Sequence, residues 1–233
     1  KCCPWPHIYE KSILKVMDAR FMTDYTVDNN LTIITARGGS KRVPGKNIKE
    51  LAGKPLLAWT IECAKKVDML GDIVVSTNDA GIARVASSYG IDVPELRRLE
   101  LSSDTAATKD VVIDCVNRHE ERTGKTINWI TLLQPTSPLR LVDDIDICID
   151  KCAANSSSCV SVVESEKTPY WMYFLSEDSE LIPVMDQNTS LTRRQDAEKV
   201  YSLNGAVYAC NVNFLIKNKV FFNSDSTAHV MPP

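Results

Sequence analysis

Nothing in this 233-residue chain approaches the run of about 18 apolar residues that a membrane-spanning helix requires. Histidine is scarce. His7, His119 and His229 share no His-x-x-x-His or triad-like spacing, so each is read as a surface or incidental residue and not as a base. No Gly-x-Ser-x-Gly elbow is present, which leaves a hydrolase without support. The eight cysteines include no Cys-x-x-Cys pair and no histidine at zinc spacing; Cys63, Cys115 and Cys210 fall in apolar runs, as buried free thiols do. Lys11, Lys15, Asp18 and Arg20 interrupt the N-terminal apolar residues, unlike a signal peptide. These features point to a reduced, cytoplasmic setting, with a nuclear one open for a vertebrate-like source. A net charge of -3 argues against a general nucleic-acid binder. With 44% hydrophobic and 24% charged residues, the composition is that of a globular domain.

Against that mild acidity, one loop is strongly basic. Arg37-Gly-Gly-Ser40-Lys-Arg42-Val-Pro44-Gly-Lys46-Asn47 follows the apolar run Leu31–Ala36, and five cations fall between Arg37 and Lys49 with no acid among them. It is not a Walker A loop, because five residues separate Gly39 from Gly45 and Lys46 is followed by Asn47. Nor does it carry the Gly-x-Gly-x-x-Gly dinucleotide fingerprint. Its glycines permit close backbone approach and positive φ, Pro44 stiffens it, and Arg37 and Lys46 are suited to phosphate oxygens. A solvated surface loop is the plain alternative; the position directly after a strand favours a nucleoside triphosphate.

Strand-like runs occur at 31–36, 72–76, 129–133, 159–163 and 205–210, with helix-like segments between them. Pro55 opens the first helix. Residues 79–89 form the second, closed by Gly90. Asp104 or Thr105 caps a third, and a fourth runs over about 142–153. This alternation predicts an α/β fold with a mainly parallel sheet covered by helices, whose ligands bind at the carboxyl ends of the strands. Arg37 and Gln134 stand at two such ends. Residues 1–30 are read as an N-terminal extension of unknown role, and 31–233 as the main domain. From about 164 to 201 the rhythm breaks into an insertion whose Tyr170-Trp-Met-Tyr-Phe-Leu175 run is an exposed apolar strand in need of a partner.

Two further motifs are Leu132-Leu-Gln134-Pro-Thr136-Ser-Pro138-Leu-Arg140 and Arg193-Arg194-Gln195-Asp196 followed by Asn204-Gly205-Ala-Val-Tyr208. Together with the basic loop, and in this order and spacing, they resemble the acylneuraminate cytidylyltransferases, the CMP-sialic acid synthetases, from about Leu31 to the end of the chain. The resemblance implies a Rossmann-like three-layer nucleotidyltransferase fold with a small dimerisation insertion. It also implies transfer of CMP from CTP to the anomeric hydroxyl of a nine-carbon 2-keto sugar acid, with release of pyrophosphate and no covalent intermediate. Such phosphoryl transfer asks mainly for positioning and charge neutralisation.

Carried over by motif, Arg37, Ser40 and Lys46 hold the triphosphate, and Arg37 and Lys46 act in catalysis. Asn47, Arg97, Ala107 and Thr108 line the cytidine pocket. Gln134, Thr136, Ser137, Arg140 and Asn204 sit by the sugar acid. In a homodimer, Arg194 reaches a neighbour's sugar. Plain readings stand beside these: Gln134–Arg140 as a proline-rich turn with Ser137 capping the next helix, Asn204-Gly205 as a turn, and Arg193 and Arg194 paired with Asp196 and Glu198.

The resemblance further implies Mg²⁺ held by an Asp-x-Asp pair just past the last segment seen here. No metal ligand is assigned within the chain. The run Asp143-Asp-Ile-Asp146 is read as the acidic first turn of a helix whose Ile145, Cys148, Ile149 and Cys152 face the core. Trp171 stands where some relatives put a lysine facing the sugar, which leaves the identity of the acid open. A transferase for the eight-carbon acid KDO and a catalytically silent CTP-binding module are the alternatives.

Overall fold

A computed structural model describes residues 24–40, 43–103, 105–155, 157–185, 193 and 197–233. Its centre is a six-stranded sheet in the order β10-β6-β9-β5-β1-β4. The strands are β1 (Asn30–Thr35), β4 (Asp72–Ser76), β5 (Trp129–Leu133), β6 (Ser158–Glu164), β9 (Tyr201–Asn211) and β10 (Thr227–Met231). β1 pairs in parallel with β4 and β5, and β10 pairs in parallel with β6. β9 runs antiparallel to both of its neighbours, β5 and β6. β5 and β6 therefore point the same way, and the sheet is mainly parallel as the strand–helix alternation predicts.

Burial on both faces explains the continuous apolar runs of β1 and β5. Along them the side chains alternate. Leu31, Ile33, Ile130 and Leu132 face one layer with Val112, Val116 and Leu215, from α3 (Thr108–Thr123) and α5 (Val212–Asn218). Ile34, Trp129 and Leu133 face the other with Leu57, Ile61, Ile82, Ile145 and Ile149, from α1 (Leu56–Ala64), α2 (Ala80–Ser88) and α4 (Val142–Asn155). The result is helix, sheet, helix: the three-layer arrangement expected.

Several local expectations are met by specific contacts. Asp79 caps α2, its Oδ1 accepting from the Ile82 N–H at 2.9 Å, and Gly90 follows the helix at φ 79°. Asp143 and Asp144 lie in the first turn of α4, and Asp144 Oδ2 accepts from the Leu141 N–H at 2.9 Å.

Others are corrected. Thr105 does not cap α3, and Asp104 lies outside the described residues; the cap position is Ala107, which makes no side-chain cap bond. Ser137 does not cap α4, since it precedes the helix by five residues and serves in backbone turns instead. His119 and His229 are not surface residues. Each is buried against a carboxylate, with Nε2 3.0 Å from Asp72 and 2.9 Å from Asp144 respectively. Packing also begins before Leu31. Tyr25 packs tilted against Trp129 with ring centroids 5.8 Å apart, and the Asp24 carboxylate accepts from Trp129 Nε1 at 3.0 Å.

The insertion carries a hairpin, β7 (Tyr173–Leu175) with β8 (Leu181–Pro183), set apart from the main sheet and exposed throughout. A second small pair, β2 (Glu50–Leu51) with β3 (Lys54–Pro55), follows the basic loop.

Candidate active site

A cavity of about 320 Å³ opens at the carboxyl ends of β1 and β5, where the strand order places the ligand edge of the sheet. Three parts of the chain build it. The basic loop contributes Arg37, Lys46 and Asn47. The segment leading into α3 contributes Arg97, Ser103, Ala106 and Thr108. The turn after β5 contributes Gln134, Pro135 and Thr136.

Local sequence dictates the loop's shape. The Gly38 N–H donates to Asn78 Oδ1 at 3.0 Å, and a Cβ on Gly38 would come within 2.8 Å of the Asp79 side chain, so only glycine lets the loop pass the cap of α2. Gly45, at φ 64°, turns the chain into the single 3-10 turn Lys46–Ile48. Buried Asn47 then donates from Nδ2 to the Arg37 carbonyl at 2.9 Å, tying the two ends of the loop together.

Arg97 is buried in the opposite wall. Its backbone N–H donates to the Thr77 carbonyl at 2.7 Å, Nε to Ser76 Oγ at 2.9 Å and Nη2 to the Ser76 carbonyl at 2.6 Å. Burial lowers its pKa, and the nearby Arg37 charge lowers it further. Arg37, Lys46 and Arg97 thus concentrate positive charge in a cavity whose described lining contains no Asp or Glu. The uncapped N-terminus of α3 adds partial positive charge on the same side.

A larger cavity, about 500 Å³, lies beside β4 and further along α3. Volume favours it, but charge does not. Arg118 pairs with Glu95 at 3.2 Å and Asp114 at 2.9 Å, and Arg98 with Asp114 at 3.7 Å, so two of its cations are already answered by acids, and Asp92 and Glu121 add further negative charge to its lining. The smaller cavity is the one built for a polyanion.

Of the residues expected from the sequence, Arg37, Lys46, Asn47, Arg97, Thr108, Gln134 and Thr136 come together in this wall. Ser40 lies in the same loop outside the wall, its N–H donating to the Gly38 carbonyl at 2.9 Å. Ala107 is the α3 cap residue, with Ala106 in the wall instead. Ser137 bonds through its backbone to Gln134 and Arg140.

Arg140 is displaced furthest from expectation. It is 4% exposed, and its guanidinium is spent on internal acceptors because burial demands partners for every donor. Asn204 is likewise turned inward, its Oδ1 accepting from Ser161 Oγ at 2.6 Å and from the Ala206 N–H at 3.0 Å. Arg194 lies outside the described residues; Arg193 is exposed.

Sequence reasoning missed Ser76 and Asn78, the residues that hold Arg97 and Gly38. The signal was available: Ser76-Thr-Asn78-Asp79 is a polar cluster at the end of β4, on the same sheet edge as Arg37 and Gln134.

A family profile described as Cytidylyltransferase matches residues 31–218, which is most of the chain and all of the site just described. The chain belongs to the cytidylyltransferase family. It is 36% identical over 194 residues to the CMP-N,N'-diacetyllegionaminic acid synthase of Legionella pneumophila, covering 83% of this chain and 82% of that protein. To the pseudaminic acid cytidylyltransferase of Campylobacter jejuni it is 30% identical, with 87% of each chain covered. To the N-acylneuraminate cytidylyltransferase of Streptococcus agalactiae it is 33% identical, over 86% of this chain and 48% of that longer protein. Among solved structures, a CMP:2-keto-3-deoxy-manno-octonic acid synthetase complexed with CTP shares the fold, with a TM-score of 0.64 at 14% identity over 88% of this chain and 90% of that one. These relatives place the chain among nucleotidyltransferases of acylneuraminate type. They are bacterial and give the nuclear alternative no support. Among the described residues, no helix is long and apolar enough to cross a membrane.

Proposed function

We propose that this chain transfers CMP from CTP to the anomeric hydroxyl of a nine-carbon 2-keto sugar acid, releasing pyrophosphate. The observation that carries this reading is the cavity at the ligand edge, whose described lining holds three cations and no acid, joined on its β5 side to the uncharged polar pair Gln134 and Thr136. In this reading Arg37 and Lys46 neutralise charge that builds on the phosphates as the hydroxyl attacks the α-phosphorus. Arg97, Ala106 and Thr108 border the cytidine, and Asn47 acts by holding Arg37. Gln134 and Thr136 receive the sugar acid, whose uncharged hydroxyls suit an amide and a hydroxyl.

Magnesium is the cofactor expected of the family. Among the described residues no three His, Cys, Asp or Glu side chains are gathered to hold a metal ion. The described site residues therefore do not make a metal cage by themselves.

A homodimer also belongs to this proposal. Phe174, Leu175 and Leu181 on the hairpin are each more than 60% exposed, which a second copy of the chain would cover.

Pyrophosphate release from CTP and Mg²⁺ tests the function, with legionaminic, pseudaminic, N-acetylneuraminic and KDO acids in parallel. Release with one of the first three establishes the reaction. Release with KDO alone selects the eight-carbon enzyme, and CTP binding without release from any of them selects a silent binding module.

A further inference from the structure

The β5–β9 ladder ends with Leu133 opposite Val207, and the same register would next pair Gln134 with Ala206. At that position a side chain stands in for the rung. Arg140 Nε donates to the Ala206 carbonyl at 2.9 Å, and its Nη2 donates to the Gln134 carbonyl at 2.6 Å. Nη1 lies 3.5 Å from Thr60 Oγ1 on α1. One guanidinium thus bridges the end of β5 and the middle of β9 and anchors both to the helix layer. A planar fork with donors in fixed directions can span two carbonyls; an ammonium cannot hold the same geometry.

The far side of Gln134 is set by β9. Gly205 adopts φ 73°, and a Cβ there would come within 3.1 Å of Gln134 Oε1. Asn204 fixes this kink through Ser161 and Ala206, where the β6–β9 register shifts between Val160 and Val162. Gln134 is therefore held by its main chain from one direction and confined at its side chain from another. Burial lowers the Arg140 pKa only to about 10, so the group stays charged at neutral pH and the bridge persists.

We propose that Arg140 is a positioning residue that opens the β5–β9 ladder at its ligand end and seats Gln134 for the sugar acid. This rests on reading the cavity as the site for CTP and the sugar acid. It differs from a substrate contact, because each guanidinium nitrogen of Arg140 is already turned to a protein acceptor, and from a purely structural role, because the two carbonyls it holds belong to Gln134 and to the strand that confines it.

The test pairs the crystal structure of Arg140→Lys with two-substrate kinetics. The expected result is a Gln134 displaced by about 1 Å and a kcat/KM for the sugar acid lowered about 10²-fold, with CTP affinity unchanged. Thr60→Val, which spares both carbonyl bonds, should keep wild-type kinetics. An unmoved Gln134 overturns the proposal, as does an equal loss for both substrates. Should Arg140→Lys fail to fold, Gly205→Ala pushes on Gln134 from the other side. It should show the same selective loss, and wild-type sugar-acid kinetics in that variant would overturn the proposal. A wild-type protein silent with every sugar acid overturns the functional reading alone; the Gln134 position in the Arg140→Lys crystal still decides the role of Arg140.

Discussion

The Asn47 side chain donates to the Arg37 carbonyl at 2.9 Å, so the loop from Arg37 to Asn47 is closed by one buried amide. Removing it leaves that bond unmade and loosens the closure of the loop at Arg37. Asn47→Ala should weaken CTP binding by about 1–3 kcal/mol, roughly 5- to 150-fold. Titration calorimetry with CTP checks this; unchanged affinity would show that the loop is held by other means.

Lys46 and Arg37 are proposed to act on developing charge. Lys46→Met should lower kcat by about 10²–10³-fold with little change in thermal stability. Arg37→Lys should also be impaired, since a point charge does not reproduce a fork. Steady-state kinetics beside a melting curve separates the two effects, and a kcat preserved in Lys46→Met would remove it from the chemistry.

Gly38 and Gly39 adjoin in sequence but differ in what surrounds them. A Cβ on Gly38 meets Asp79, which cannot retreat without giving up its bond to the Ile82 N–H, whereas a Cβ on Gly39 meets nothing within 4 Å. Gly38→Ala should cost about 1–3 kcal/mol of stability and disturb the loop. Gly39→Ala should stay within about 0.5 kcal/mol. Denaturant melts of the two variants make the comparison, and equal stabilities would contradict the close approach.

The acid limb of stability follows from His119. Burial, assisted by the nearby Arg122 and Lys125 charges, lowers its pKa, while Asp72 acts in the opposite sense. The unfolded chain then binds a proton that the folded one refuses, so stability falls as pH drops below about 6.5. Asp72, its pKa lowered chiefly by the Lys125 hydrogen bond, extends the loss below about 3.9. His119→Gln should flatten the first part of this slope in melts taken across pH; an unaltered slope would assign it elsewhere.

If the exposed hairpin is a contact between two copies, charge placed there should separate them. Phe174→Asp is expected to give a monomeric mass by light scattering where the parent gives a dimer. A monomeric parent would count against the dimer itself.

The frame was legible because burial writes a strong pattern. β4 and β5 coincide with their apolar runs, and α2 is marked by an acid at one end and glycine at the other. What escaped was carried by weak local signals. β10 is Thr-Ala-His-Val-Met, too mixed to stand out, and its pairing with β6 is decided by tertiary contact. The first residues of β9 are exposed and end in Asn204-Gly205, which looks like a turn but bends a strand instead. In the site, cations in a glycine loop could be placed from the sequence, because a strand end and a charge excess fix their setting. Arg140 and Asn204 could not. Nothing local distinguishes a polar group aimed at a ligand from one aimed at a carbonyl across the sheet.

The reversed strand β9 also imposes an order on assembly. β6 has only β9 and β10 as neighbours, and both follow it in the chain. Until Tyr201–Asn211 has been made, β4, β1 and β5 can form their ladder while Ser158–Glu164, largely buried in the finished sheet, has no partner in it. Closure of the sheet must therefore wait for a long-range step that brings β9 between two segments made earlier. A nascent chain halted before Tyr201 would present β6 as an unpaired apolar edge.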